Sequence, residues 1–454
     1  MLNLVFDKWS VEGYIPNGMD EALVNYIMFN YQKDEDTYNH LPNALEKTFG
    51  KDFNIWNDLF GIILSKNLIK CIPYESNKKD WVYVIEPWGH LSYSCNLFVD
   101  ERGGGYRNFF KNIPEKIKKD INDDNGKLVI NYSHEGWVND WLLKNLYLGI
   151  KNNGISTKNS ILILNDFNLE KKVNKFILEN GIDKETFPKI INYSYYIPFS
   201  SFYFYNKYKE LDTAKYFKNK THKFLFLNRR LEVHKLEVLL QLYENIKNES
   251  IISYDKTLIS DDVLFEFTTN FELKNKFDSI PNKSIADIEN IKDVNGYKDE
   301  NSELYEKSLF SIVTETNFYN DNDFISEKIF KPLWHMQPFI VIGRPYMLKY
   351  LKEIGFKTFD WLIDETYDTI EDNNTRMKLI ITEIEKLNKL DFNLLKEKIH
   401  NSYDILQHNR NVILNIGNNI SEIEYTLLSN LNKFNEIRYL DLIKNINYEK
   451  GNLV

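Results

Sequence analysis

The chain has 454 residues, and at 43% hydrophobic and 15% aromatic it carries too much packable surface for a disordered or fibrous protein. At roughly 150 residues per domain, that length predicts two or three domains. Its 57 basic and 66 acidic residues leave a net charge of −9, the wrong balance for a general nucleic-acid binder that must neutralise phosphates.

Two cysteines, Cys71 and Cys95, are too few for a disulfide framework or a cysteine-bound zinc, and read as free, reduced thiols. The stretch from Met1 to Lys8 lacks the basic start and apolar core of a signal peptide. No apolar run reaches the ~20 residues that span a bilayer. These features give the expectation of a cytoplasmic protein with no transmembrane segment.

In chain order, apolar runs at 81–85, 127–131 and 160–164 read as buried strands, each followed by polar or turn residues. Amphipathic stretches at 137–148 and 169–179 lie after the second and third of them. Strands alternating with helices imply a parallel sheet covered on both faces. From 202 to 221 the sequence turns polar, aromatic and lysine-rich without a period, which reads as a linker. A second series then opens with Phe224, Leu225, Phe226 and Leu227. Behind it Leu236, Leu239, Leu240 and Tyr243 fall at helical spacing. Further strands are expected at 251–254, 309–314 and 339–342. The pattern weakens over 255–306, as in a loop-rich insertion, and after Asn401 only helix is expected.

Several familiar chemistries are absent. There is no Gly-x-x-x-x-Gly-Lys-Ser/Thr loop, so a P-loop nucleotidase is not expected. Gly103, Gly104 and Gly105 follow Glu101 and Arg102 rather than a strand, and read as a flexible turn. His134-Glu135 has no second histidine four residues on, and the eight histidines show no ligand spacing. No metal or other cofactor is expected.

Two stretches carry a positive signal. In Lys223-Phe-Leu-Phe-Leu-Asn228-Arg229-Arg230-Leu-Glu-Val-His234-Lys235, a buried strand delivers an asparagine and two arginines where a helix begins. Ligands of open α/β sheets bind outside the carboxyl ends of the strands. Helix starts there favour anions, and arginine adds a fork for phosphate oxygens. A solvated turn with surface ion pairs is the plainer alternative. The second stretch runs from Phe324 through Ser326, Glu327 and Lys328 to Gly343 and reads as loop, helix, turn and strand. Asp323 or Ser326 can cap that helix. Glu327 can accept ribose hydroxyls, and Lys328 can meet a phosphate. Glu315, ending the strand at 309–314, adds a carboxylate close by; ordinary first-turn charges are the alternative.

The run from Phe324 to Gly343 resembles the donor-binding signature of inverting GT-B glycosyltransferases of the α-1,3-fucosyltransferase type. The run from Lys223 to Lys235 resembles the strand–Asn/Arg–helix element of the same family. The likeness covers about Lys223 to Phe359; the N-terminal half matches in layout only. It implies an α/β protein, GT-B-like, with two Rossmann-like parallel-sheet domains facing a cleft and a helical C-terminal tail. The boundaries are then 1–205 for the acceptor-side domain, 222–400 for the nucleotide-sugar domain and 401–454 for terminal helices. Donor-binding residues would be Asn228, Arg229, Arg230, Glu315, Ser326, Glu327 and Lys328. The partners would be a nucleotide-sugar, GDP-linked by preference, and a glycan or other hydroxyl acceptor. The family's base is an N-terminal carboxylate. Glu135, at a strand end before Gly136 and Trp137, is the first candidate and Glu86, beside Trp88, the second.

Two other readings compete. Asp321-Asn322-Asp323 matches the Asp-x-Asp of metal-dependent GT-A transferases, although residues 315–320 intervene between it and the strand. A non-catalytic nucleotide-sugar or glycan binder of the same fold is the other.

Overall fold

A computed structural model describes residues 2–6, 69–73, 79–85, 110, 113–133, 136, 138–208, 217–228, 231–259, 263, 271–284 and 302–431. They fall into two compact units. The first takes the described residues up to Tyr195, Asn322–Phe324 and those from Asn419 on. The second takes those from Tyr196 to Asp321 and from Ile325 to Asn418.

The first unit holds a six-stranded sheet of β1 (Leu2–Phe6), β2 (Ile69–Pro73), β3 (Trp81–Ile85), β4 (Gly126–Asn131), β5 (Ser160–Leu164) and β6 (Lys189–Asn192). Its order is β2-β1-β3-β4-β5-β6, and every pair is parallel. All residues of β4 and β5 are buried, as strands covered on both faces must be. The helices α1 (Glu115–Asn122), α2 (Asp140–Asn152) and α3 (Leu169–Glu179) alternate with these strands. Leu142, Leu143 and Leu146 of α2 and Val173 and Phe176 of α3 sit at helical spacing and join Leu128, Ile130 and Leu162 in one core. Asn139 starts α2 by accepting the Leu142 amide at 2.9 Å. Gly126 pairs across the sheet with Trp81, and a Cβ there would come within 2.4 Å of the indole. Only glycine lets that ring lie against the neighbouring strand.

The second unit begins with α4 (Tyr196–Tyr208) and holds β7 (His222–Leu227), α5 (Val233–Ile246), β8 (Ser250–Asp255), α6 (Phe271–Ser279) and β9 (Lys283–Ser284). There follow α7 (Ser302–Lys307), β10 (Ser308–Thr314), α8 (Glu327–Trp334), β11 (Phe339–Ile342) and α9 (Met347–Glu353). Then come α10 (Asn373–Lys389), α11 (Phe392–His400) and α12 (Tyr403–Leu431). The sheet order is β11-β10-β7-β8-β9, parallel except for the short edge strand β9. From β7 the chain adds β8 and β9 on one side, then returns to add β10 and β11 on the other. The topological switch point therefore lies between β7 and β10, where a doubly wound sheet opens its ligand crevice.

The seven strands expected from apolar runs all lie within observed strands. The segment expected as a linker from 202 opens inside α4 instead, because Tyr196–Tyr208 continues the helix. Within 255–306 the described residues include α6, β9 and α7, so that region is not purely loop. Among the described residues, no helix is long and apolar enough to cross a membrane.

Candidate functional site

The second unit's switch point is joined by side chains. Asn228 follows β7 directly, is buried, and donates its backbone N–H to the Ser253 carbonyl at 2.8 Å. Its Oδ1 accepts the Thr314 hydroxyl at 2.6 Å, tying the ends of β7 and β10 together. That contact fixes the amide's orientation, and Nδ2, also buried, has no hydrogen-bond partner among the described residues.

One residue beyond β10, Glu315 is 1% exposed and its backbone N–H bonds to the Ile342 carbonyl at 2.9 Å. Its carboxylate faces the start of α8. Oε2 accepts the Ser326 hydroxyl at 2.6 Å and Oε1 the Ser326 amide at 3.2 Å. Ser326, one of the two caps open from the sequence with Asp323, is the one that caps α8, its Oγ receiving the Lys328 amide. The Lys328 ammonium donates to Ser326 Oγ at 3.0 Å and to Thr316 Oγ1 at 3.1 Å. It lies 3.8 Å from Glu315 and 3.7 Å from Glu327. Burial raises the Glu315 carboxyl above its ordinary range, only partly opposed by Lys328 and Ser326. Burial would also raise Glu327, but Lys328 and Lys331 outweigh it and hold that carboxyl low. For Lys328 burial works against the charged form, and Glu327, Glu315 and Glu232 more than restore it. The result is a charged lysine, about one-third exposed, held between two carboxylates at a helix N-terminus.

The structure thus brings Asn228, Glu315, Ser326, Glu327 and Lys328 to one edge of one sheet. Arg229, Arg230, Glu86 and Glu135 lie outside the described residues. Gly136, beside Glu135, has φ +59°, the left-handed backbone that glycine permits.

His234, Thr316 and Thr314 belong to the same edge and do not stand out in the sequence. His234 lies in the first turn of α5, fully inside, and its Nε2–H donates to the Glu315 carbonyl at 2.8 Å. A carbonyl can only accept, so the proton is on Nε2. Burial, with Lys235 adding to it, drives the imidazole down to about 3, so the ring is neutral at physiological pH.

The Asp-x-Asp reading does not fit. Asp321 is 94% exposed at its side chain and lies 3.6 Å from the Arg344 guanidinium. Asp323 is buried among first-unit residues, 3.4 Å from Lys172 Nζ and 3.0 Å from Asn168 Nδ2. One carboxylate faces water and the other is engaged by a cation and an amide, so they make no common cradle for a divalent ion. Among the described residues no group of three or more His, Cys, Asp or Glu side chains is placed to hold a metal.

No family model matches the chain, and no curated protein matches it. Among solved structures it is similar to an alpha,alpha-trehalose-phosphate synthase (UDP-forming) from Burkholderia vietnamiensis, at 6% identity and a TM-score of 0.37, over 94% of this chain and 81% of that one. It is also similar to an alpha,alpha-trehalose 6-phosphate synthase from Burkholderia multivorans, at 7% identity and a TM-score of 0.36, over 93% and 80%. Likeness at this level establishes neither fold family nor activity.

Proposed function

We propose that the protein is a glycosyltransferase of the GT-B kind that moves a sugar from a nucleotide-sugar to a hydroxyl acceptor by single, inverting displacement. The observation that carries this reading is the Glu315–Ser326–Lys328 constellation at the switch point between β7 and β10. A charged lysine on a capped helix start suits a diphosphate, through both its own charge and the helix dipole. Glu327, held ionised, suits the hydroxyls of a ribose or sugar. The buried Asn228 Nδ2 offers a donor that a ligand oxygen at the strand ends would satisfy.

In the transfer an acceptor oxygen attacks the anomeric carbon while the bond from that carbon to the diphosphate breaks. A carboxylate takes the proton of the attacking hydroxyl; Glu135, with Glu86 as the alternative, is assigned this part. The departing nucleoside diphosphate gains negative charge as it leaves. Lys328, with Arg229 or Arg230, stabilises that charge more in the transition state than in the ground state. No metal is needed for this step. A GDP-linked donor, and fucose as the sugar, are favoured by the sequence resemblance alone.

The test is a thermal-shift panel of GDP-, UDP-, CMP- and dTDP-sugars, since a ligand that binds the folded state raises its melting temperature. A rise with one nucleotide class, followed by transfer of labelled sugar, supports the reading and names the donor. A rise without transfer moves the protein to the non-catalytic binders. No rise with any of the four removes the donor site.

A further inference from the structure

The loop that follows β10 carries Glu315 and Thr316, which position Lys328, and two residues from elsewhere in the second unit hold it from behind. His234 takes the Glu315 carbonyl at 2.8 Å. Its ring also lies nearly parallel to Phe318, at 12° and 5.6 Å between centroids. Arg376, in the first turn of α10, is 1% exposed and lies over the same Phe318 ring, 4.3 Å from its centroid.

A guanidinium is tolerated at that depth only where its five N–H groups are matched. Here they are. Nε donates to the Gly343 carbonyl at 3.1 Å, and Nη1 to the carbonyls of Ile370 at 2.8 Å and Glu371 at 3.1 Å. Nη2 donates to the Phe318 carbonyl at 3.1 Å and to Asn373 Oδ1 at 2.6 Å. None of these acceptors is a carboxylate. The fork therefore serves as a geometric junction between the end of β11, the entry to α10 and the loop after β10. Both ends of the segment from Glu315 to Phe318 are thus held by side chains, at the carbonyls of its first and last residues.

We infer that His234 and Arg376 are positioning residues: they fix the 315–318 segment so that Glu315 and Thr316 hold Ser326 and Lys328 in ligand-ready geometry. The inference rests on the donor reading above for its functional consequence, and on the two carbonyl contacts for its structural one. Both act through the segment they hold, not through a contact of their own with the donor. The imidazole is placed to act by one N–H donor and one flat face, and the guanidinium by a planar fork that a lysine cannot copy.

The experiment separates these parts on the full chain. His234→Phe keeps a flat ring beside Phe318 and removes the donor, whereas His234→Gln restores an N–H near the same place. Arg376→Lys keeps the charge and loses the fork. Amide exchange over 315–319 and the affinity for GDP and UDP are measured for each, alongside the global melting temperature.

The expected result is that His234→Phe and Arg376→Lys exchange about tenfold faster over 315–319 and bind the preferred diphosphate about tenfold more weakly. His234→Gln should recover to within about threefold of the parent protein, at a melting temperature matching that of His234→Phe. Unchanged exchange over 315–319 in His234→Phe overturns the inference. So does faster exchange with parental affinity, or a Gln variant as impaired as the Phe one. If the parent protein binds neither diphosphate, the donor reading falls by itself, and the exchange data decide whether the brace exists.

Discussion

The Ser326 hydroxyl donates to Glu315 Oε2 at 2.6 Å, joining the residue that follows a buried strand to the cap of a helix eleven positions further on. Ser326 Oγ itself accepts the Lys328 ammonium at 3.0 Å. One small side chain thus caps α8, satisfies a buried carboxylate and holds the cation assigned to the diphosphate. A serine does all three because its hydroxyl both donates and accepts.

Ser326→Ala should therefore do more harm than the loss of a cap alone. An N-cap contributes roughly 0.5–2 kcal/mol to a helix, and here a buried carboxylate loses a donor besides. The expected outcome is a lower melting temperature together with weaker binding of the donor nucleotide, measured by calorimetry on the folded variant. Ser326→Thr, which keeps the hydroxyl, should stay close to the parent protein in both. Parental donor affinity in a folded Ser326→Ala would detach the cap from the site.

Lys328 provides the more direct test. Hydrogen bonds to charged groups are worth roughly 1.5–3 kcal/mol each, so Lys328→Ala should weaken donor binding about tenfold to a hundredfold. Glu315→Gln should act in the same direction but more gently, since it keeps an acceptor for Ser326 while removing one of the two carboxylates beside the ammonium. Titration calorimetry with the preferred nucleoside diphosphate reads both. Equal affinities in Lys328→Ala and the parent protein would move the diphosphate elsewhere.

The sheet of the second unit was legible because its strands are largely apolar runs: Phe224 to Phe226 and Phe339 to Ile342 are apolar and buried throughout, and in Leu309 to Val313 only Ser311, itself buried, breaks the run. In the first unit β2 escapes notice because Ile69–Pro73 carries a lysine and a proline, and β6 because Lys189–Asn192 has only two apolar residues. Ser326, Glu327 and Lys328 could be placed from the cap and the helix start alone. The contacts that organise them could not, because Glu315 meets Ser326 only once the intervening loop has closed. Arg376 is harder still. It follows Asn373, Asn374 and Thr375 in what reads as a solvated first turn, and nothing local marks it as a guanidinium buried to 1% exposure.

Turnover should persist in chelator. Asp321 is exposed and faces Arg344, Asp323 is buried beside Lys172, and the charge of the leaving group is assigned to lysine and arginine side chains. Transfer assayed with and without EDTA should agree within about twofold. Loss of activity in EDTA, restored by manganese, would return the acidic pair to consideration.

The last prediction concerns the first unit, where Asp166 follows β5 and is completely buried. Its Oδ1 accepts the Asn168 amide at 2.8 Å. Its Oδ2 accepts the Asp323 amide at 3.1 Å and the Lys172 ammonium. Lys172 is shared, lying 3.4 Å from the Asp323 carboxylate as well. Two carboxylates thus face one cation in a dry place. Burial pushes the Asp166 carboxyl up to about 7; the Asp323 charge adds to this, and Lys172 offsets it only in part. In the unfolded chain the same group titrates near 3.8. Between about pH 4 and pH 7 the folded protein holds a proton that the unfolded chain has released, so stability falls as pH rises through that window. One proton cannot give a slope steeper than about 1.4 kcal/mol per pH unit. Glu315, also raised by burial, contributes with the same sign, whereas Glu327, held low, and the buried His234 contribute with the opposite one, so the quantity to measure is a difference. Urea unfolding of the parent protein and of Asp166→Asn should be compared at steps from pH 4 to pH 8. The asparagine variant starts from lower stability, because an amide cannot reproduce both carboxyl oxygens that accept from Asn168, Asp323 and Lys172. Its stability relative to the parent should nonetheless improve as pH rises from 4 to 7 and level off above that. A difference that stays constant from pH 4 to pH 8 would mean that Asp166 is ionised throughout, with Lys172 outweighing the burial.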